Sequence, residues 1–379
     1  MFLLRLLPAL CLTSSLLCGQ QIPKPNRRAK NVIVFLADAG GIPTLNAASL
    51  VGYGEPQKLF VQNWPYIGLS DTSTASSWVT DSAAGMTAIV TGRKTHNGVI
   101  SMGPDTVRGN SDGPVLKTVL EYAEERGLST GVVSNVSIAD ATPAACYGHA
   151  NDRAKQGDLY LQIFDAKFGD GVDVVLGGGR KRIYGDVEKR GQNLDTVASE
   201  HKRPIYASLA DIPASNARPL ALLDNAQDVP AMAFAALDRL RKNPKGYFLM
   251  IEWDAHTDNP DQGLNNMVKF DKLIREIAAK VDLRDTLLLF TADHSFELRT
   301  VGGKRGEPLL KGFAEWQQAK HAANETVVLP AMRVGHSHTG EEVLAAAMGP
   351  GADRVKGFFP NTHLFDVIMA AYAWKPGLR

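Results

Sequence analysis

Residues 31–38 read Asn31-Val32-Ile33-Val34-Phe35-Leu36-Ala37-Asp38, a short unbroken apolar run that ends on a carboxylate. A run of this length without polar alternation is the mark of a strand buried on both faces. Thr130 to Asn135, Val172 to Leu176, Tyr247 to Ile251 and Thr286 to Thr291 repeat the pattern. Between them lie helical patterns: Val115 to Arg126 closed by Gly127, Leu159 to Phe168, Ala231 to Lys242 ahead of Pro244, and Gln262 to Val281. Strands alternating with helices predict an α/β fold around a central, mostly parallel sheet. Glu188 to Ala226 and Gly302 to Asn324 are polar and weakly periodic, and are expected as surface insertions in a single domain.

The 379 residues are 44% hydrophobic and 21% charged with a net charge of +1, which excludes disordered and collagen-like chains. The balanced charge also argues against a nucleic-acid partner or a membrane-surface footprint. Arg5 followed by the apolar run Leu6 to Cys18 reads as a signal peptide over residues 1–20, implying export to the periplasm or outside the cell. No run reaches the roughly 20 apolar residues a membrane-spanning helix needs. Ser15-Leu16-Leu17-Cys18 loosely resembles a lipoprotein cleavage site, with Leu17 where a small residue belongs. Cys11 and Cys18 fall in the leader, so Cys146 remains alone, in an apolar setting that suits a buried thiol rather than a nucleophile.

Several strands run straight into acids. Asp38 follows Ala37, Glu252 follows Ile251, and Asp293-His294 follow Ala292. A single acid after a strand is most often a helix cap or a solvated loop residue. Three at one sheet edge repel one another, and a bound cation resolves the repulsion. Ser82 opens a stretch of small residues. A serine there is ordinarily a helix cap, but backbone N–H groups at a helix start also bind phosphate. Serine is a weak nucleophile at its own pKa, and no Gly-x-Ser-x-Gly elbow is present, so metal activation is the better candidate.

Thr80-Asp81-Ser82-Ala83-Ala84-Gly85-Met86-Thr87-Ala88 resembles the signature of the alkaline phosphatase family. Further matches follow in order: Asp38, Asp140-Ala141-Thr142-Pro143-Ala144-Ala145, Arg153 thirteen positions after Asp140, Thr291-Ala292-Asp293-His294, and His338-Thr339-Gly340-Glu341-Glu342. The resemblance spans Asn31 to Tyr372 and implies one catalytic domain over residues 31–375 with helices on both sheet faces. It also implies a phosphate monoesterase that uses a phosphoserine on Ser82, two Zn2+ and one Mg2+. One zinc would be held by Asp38, Asp293, His294 and Ser82, the other by His256, His338 and a carboxylate. Magnesium would be held by Asp38, Asp140, Thr142 and Glu252, and Arg153 would grip phosphate. Small phosphate monoesters are then the partners, and a homodimer is implied only by resemblance.

The segment Glu252-Trp253-Asp254-Ala255-His256 departs from the family pattern, in which an aspartate stands five residues after the glutamate and a histidine four beyond. Here the interval is five residues shorter. Either Glu252 stays with magnesium while Asp254 reaches zinc, or Glu252 takes the aspartate's place. Phosphodiesterase or sulfatase activity within the same superfamily is the alternative, and a catalytically silent metal or phosphate binder is a third reading. The remaining histidines read as ordinary polar residues: His336, two before His338, either supports that ligand from behind or sits in an exposed loop, His201 and His321 lie on the surface, and His96, His149 and His363 are solvated or hydrogen-bonded. Trp253 fits packing as well as a substrate platform.

Overall fold

The structure, a computed structural model, describes residues 24–26 and 28–375. The leader, with Cys11 and Cys18, lies outside the described residues. The strands are β1 (Asn31–Asp38), β2 (Tyr66–Asp71), β3 (Ser129–Ser137), β4 (Val174–Gly178), β5 (Ile205–Tyr206), β6 (Leu220–Leu222), β7 (Tyr247–Asp254), β8 (Thr286–Thr291), β9 (Ser295–Thr300), β10 (Val327–Val328), β11 (Met332–Thr339), β12 (Val343–Met348) and β13 (Gly357–Pro360). Ten of them form one sheet in the order β13-β2-β12-β8-β1-β7-β3-β4-β6-β5, in which β12 alone runs against its neighbours. A small antiparallel sheet, β10-β11-β9, stands beside it.

The unbroken apolar runs are explained by cores on both faces. In β1, Val32, Val34 and Leu36 join one core with Met86, Ile89 and Cys146, while Ile33, Phe35 and Ala37 join the other with Leu45, Phe270 and Ile274. Each fully buried side chain of this kind contributes about 1.5–3 kcal/mol. The helices Ser82–Thr91 and Ala141–Tyr147 cover the first face, and Ile42–Tyr53, Val229–Leu240 and Pro260–Ala278 the second. Because side chains alternate along a strand, the first face continues from Leu36 to Asp38 and from Met250 to Glu252 and Asp254. The strand-end acids therefore emerge on the side where Ser82 sits.

Several expectations are corrected. The helix expected from Val115 begins at Val119, because Thr118 closes a reciprocal cap with Glu121: Thr118 Oγ1 accepts from Glu121 N at 3.2 Å and Glu121 Oε2 accepts from Thr118 N at 2.8 Å. The helix expected over Leu159 to Phe168 is Gln156–Leu161. The polar stretch 188–226 is no mere surface insertion, since Leu220–Leu222 is a fully buried strand that extends the main sheet. In 302–324, Phe313–Gln318 forms a helix. β2 and β12 escaped the periodicity reading: Tyr66–Asp71 is half exposed, and the alanines of Val343–Met348 carry no strand preference. Cys146 is buried, as expected. No helix among the described residues is long and apolar enough to cross a membrane.

Candidate active site

Ser82 is the first residue of its helix, and Asp81 caps it by accepting from Ala84 N at 3.1 Å. Ser82 is only 3% exposed, and its Oγ lies 3.4 Å from Asp38 Oδ2 and 3.3 Å from His294 Nε2. Gly85 makes this approach feasible, because a Cβ there would stand 2.8 Å from the Asp293 carbonyl oxygen. The small residues after Ser82 thus serve helix-to-strand contact as well as access.

The histidines present defined nitrogens. His294 Nδ1 donates to the Ser295 carbonyl at 3.0 Å and His338 Nδ1 to the Thr80 carbonyl at 3.0 Å, which leaves their Nε2 atoms as the candidate ligand nitrogens. Their rings stack at 3.6 Å. His256 Nδ1 donates to Asp254 Oδ1 at 2.7 Å. Two sets of possible metal-ligand atoms result, His256/His294/His338 and Asp38/Asp293/His294, each within 4.8 Å among themselves.

Arg153 stands at the rim, donating to Asp81 Oδ2 at 3.2 Å and Asp140 Oδ1 at 3.1 Å. Asp140 Oδ1 also accepts from Ala141 N at 2.8 Å and Gln156 Nε2 at 3.4 Å. Glu252 is buried beside β3, where Ser134 donates to its Oε2. The charges of Asp38 and Asp140 act on Glu252, whereas Asp254 faces His256. The two acids of the shortened segment thus meet different partners, Glu252 the Ser134 hydroxyl and Asp254 the His256 ring.

Other sequence expectations separate from the site. His336 lies on β11 rather than in a loop, its Nδ1 3.0 Å from Asp258, outside both ligand sets. His149 is 2.8 Å from Glu121 and 2.9 Å from the Ser101 carbonyl, and His96 and His363 are also hydrogen-bonded. Trp253 is 3% exposed and packs on Phe270 at 5.9 Å, so it forms no substrate platform. Sequence reading gave no role to Asp81, Ser134, Asn135, Gln156 or Asn266. Asp81 stood inside the quoted signature, while the others carried no signal beyond being polar.

A family model of alkaline phosphatases matches residues 29–207 and 221–333. The chain belongs to the alkaline phosphatase family. It is an enzyme of that type. It is 29% identical over 340 residues to the human tissue-nonspecific alkaline phosphatase, a match covering 73% of this chain and 64% of the human enzyme's length. It is 27% identical over 413 residues to alkaline phosphatase 4 of Bacillus subtilis, covering 89% of this chain and 88% of that protein. The alkaline phosphatase of the Antarctic bacterium TAB5 shares the fold with a TM-score of 0.75 at 24% identity, over 92% of this chain and 100% of that one. The Thermus thermophilus alkaline phosphatase shares it with a TM-score of 0.75 at 21% identity, over 98% and 96%.

The donor set of this chain fits cations. Asp38 Oδ1, Asp293 Oδ2, Glu252 Oε1 and Thr142 Oγ1 are buried without hydrogen-bond partners, and such orphaned oxygens are costly unless something positive satisfies them. Burial, followed by the negative charge of Asp38, pushes the Asp293 carboxyl up to about 6. Burial likewise opposes ionisation of Asp38, but His256, His294 and Arg153 hold it well below the usual carboxylate range. Imidazole with carboxylate suits zinc, and carboxylate with hydroxyl suits magnesium.

Proposed function

We propose that this chain hydrolyses small phosphate monoesters to an alcohol and inorganic phosphate through a phosphoserine on Ser82. The observation that carries this reading is a buried serine hydroxyl at a helix start, within 3.4 Å of Asp38 and His294, among carboxylate oxygens that lack partners. Asp38, Asp293 and His294 would hold one zinc next to Ser82. His256, His338 and Asp254 would hold the second, and Asp38, Asp140, Thr142 and Glu252 the magnesium. When bound, these ions supply the positive charge that makes a serine hydroxyl and a water nucleophilic near neutral pH and that offsets charge on the departing oxygen.

Ser82 loses its proton to solvent and attacks phosphorus; the Oγ–P bond forms as the ester P–O bond breaks, and the departing alkoxide takes a proton from water. A water then attacks the phosphoserine, returning Ser82 and releasing phosphate. Arg153, aimed by Asp81 and Asp140, offers its guanidinium fork to two phosphate oxygens. The N-terminal N–H groups of the Ser82–Thr91 helix favour the same anion. The leader pattern of residues 1–20 supports export.

The test is hydrolysis of p-nitrophenyl phosphate and bis(p-nitrophenyl) phosphate with zinc and magnesium supplied, before and after chelation. Monoesterase turnover that chelation abolishes supports the proposal. Faster turnover of the diester would replace it with a phosphodiesterase, and metal-replete protein that binds phosphate without turnover would make it a binding protein.

A further inference from the structure

The shortened Glu252 to His256 segment must hold two acids and a histidine with almost no loop. The pairing of β7 with β3 ends at Glu252–Ser134, and the register of β3 with β4 shifts between Val133 and Ser137. On its other side β7 stays paired with β1 through Asp254–Asp38, and Ala255 N donates to the Asp38 carbonyl at 2.9 Å. In a strand, successive residues direct their backbone N–H and C=O groups to opposite neighbours. Ala255 turns toward β1, so Asp254 turns toward the place β3 has vacated, where both its backbone groups would be orphaned.

Two side-chain amides occupy that place. Asn135 Oδ1 accepts from Asp254 N at 2.8 Å, and Asn266 Nδ2 donates to the Asp254 carbonyl at 2.9 Å. Both residues are nearly buried, at 6% and 8% exposure. Gln227 Nε2 donates to the Asn135 carbonyl at 3.4 Å. Asn266 reaches its partner because Gly263, one helical turn earlier, lets the Pro260–Ala278 helix press against the 255–256 turn; a Cβ at Gly263 would stand 2.1 Å from the His256 carbonyl oxygen.

We infer that Asn135 and Asn266 are positioning residues that continue the β-ladder with side-chain amides and so hold Asp254 as a zinc ligand in place of the missing loop. This rests on the metal assignment proposed above. With its backbone held extended, Asp254 keeps its carboxylate on the face shared with Asp38 and Glu252, where Oδ1 meets His256 Nδ1 and also accepts from His256 N at 3.0 Å. The two asparagines have opposite hydrogen-bond duties, one accepting and one donating, so a single substitution type separates their chemistry from their bulk.

The experiment measures zinc affinity by competition with a chromogenic chelator, with thermal unfolding of each metal-free variant as the folding control. N135A, N266A and N266D are expected to hold one zinc about 10-fold or more weakly, the usual cost of losing a partner that orients a ligand. N135D keeps an acceptor and is expected to bind zinc at least as tightly as the unsubstituted chain. Alanine variants with unchanged affinity, or N135D as weak as N135A, would overturn the inference. Should N266A not fold, the contrast between N135A and N135D decides alone. An unsubstituted chain that takes up no zinc removes the proposed metal centre and this inference with it. A chain that takes up zinc and turns over, while its alanine variants match it, removes the clamp alone.

Discussion

Ser82 Oγ and His294 Nε2 stand 3.3 Å apart across 212 positions of sequence, one at a helix start and the other just past a strand end. Gly85 governs that distance through its contact with the Asp293 backbone. Gly85→Ala is expected to displace the helix start and lower kcat about 10- to 100-fold, because small misplacements of a reacting group are costly. Steady-state kinetics beside near-ultraviolet circular dichroism will show whether turnover falls while the core stays intact.

Ser82→Ala removes the proposed phosphoryl acceptor and leaves every other candidate ligand in place. Turnover of p-nitrophenyl phosphate is expected to fall about 1,000-fold or more, the scale on which nucleophile deletions act. Acid-quenched protein should carry labelled phosphate in the unsubstituted chain and none in the variant.

Arg153 is aimed by Asp81 and Asp140, so its loss and its misdirection should look alike. Arg153→Ala is expected to lower kcat/KM about 10- to 100-fold, matching the 1.5–3 kcal/mol of hydrogen bonds to charged groups. Asp81→Ala should give a smaller loss in the same direction, and competitive inhibition by inorganic phosphate should weaken in both.

Glu124 is 4% exposed, accepts from the Thr130 hydroxyl, and has its carboxyl pushed up to about 9 by burial and by the nearby Asp170 and Asp173. Its pKa is higher folded than unfolded, so the folded chain binds the extra proton between about pH 4.5 and pH 9. Unfolding releases that proton, and stability falls as pH rises through this window, by up to about 1.4 kcal/mol per unit. Glu124→Gln should abolish this slope. Its melting temperature should exceed that of the unsubstituted chain by a margin that widens from pH 5 to pH 9.

Asp271 is fully buried, and its carboxylate accepts from Phe60 N at 2.8 Å and Val61 N at 3.0 Å. Asp271→Ala leaves two backbone donors without partners, at about 1–3 kcal/mol each. Urea unfolding should show the loss, with kcat of the folded fraction unchanged.

The α/β class, the central strands β1, β3, β4, β7 and β8, and the candidate residues Ser82, Asp293 and His294 are legible in the amino-acid order alone. Doubly buried strands need unbroken apolar runs, and the candidate ligands Asp38, Asp293 and His294 lie at or just past strand ends while Ser82 opens a helix. Asp38, Ser82, Asp293 and His294 therefore stand in recognisable local strings. Only the folded chain sets the surroundings of Glu252, which meets Ser134 of β3, and of Asp254, which meets His256 where β3 no longer flanks β7. The leucines of 220–222 joined the sheet beside β4, and the alanines of β12 became a strand between β2 and β8, because those neighbours come from distant sequence. Tertiary structure also chose Ser134, Asn135, Gln156 and Asn266, polar residues whose meaning comes only from backbone or carboxylate groups brought to them from distant sequence. A hydrogen bond is satisfied by whatever packing places within about 3 Å, and no local pattern records that choice.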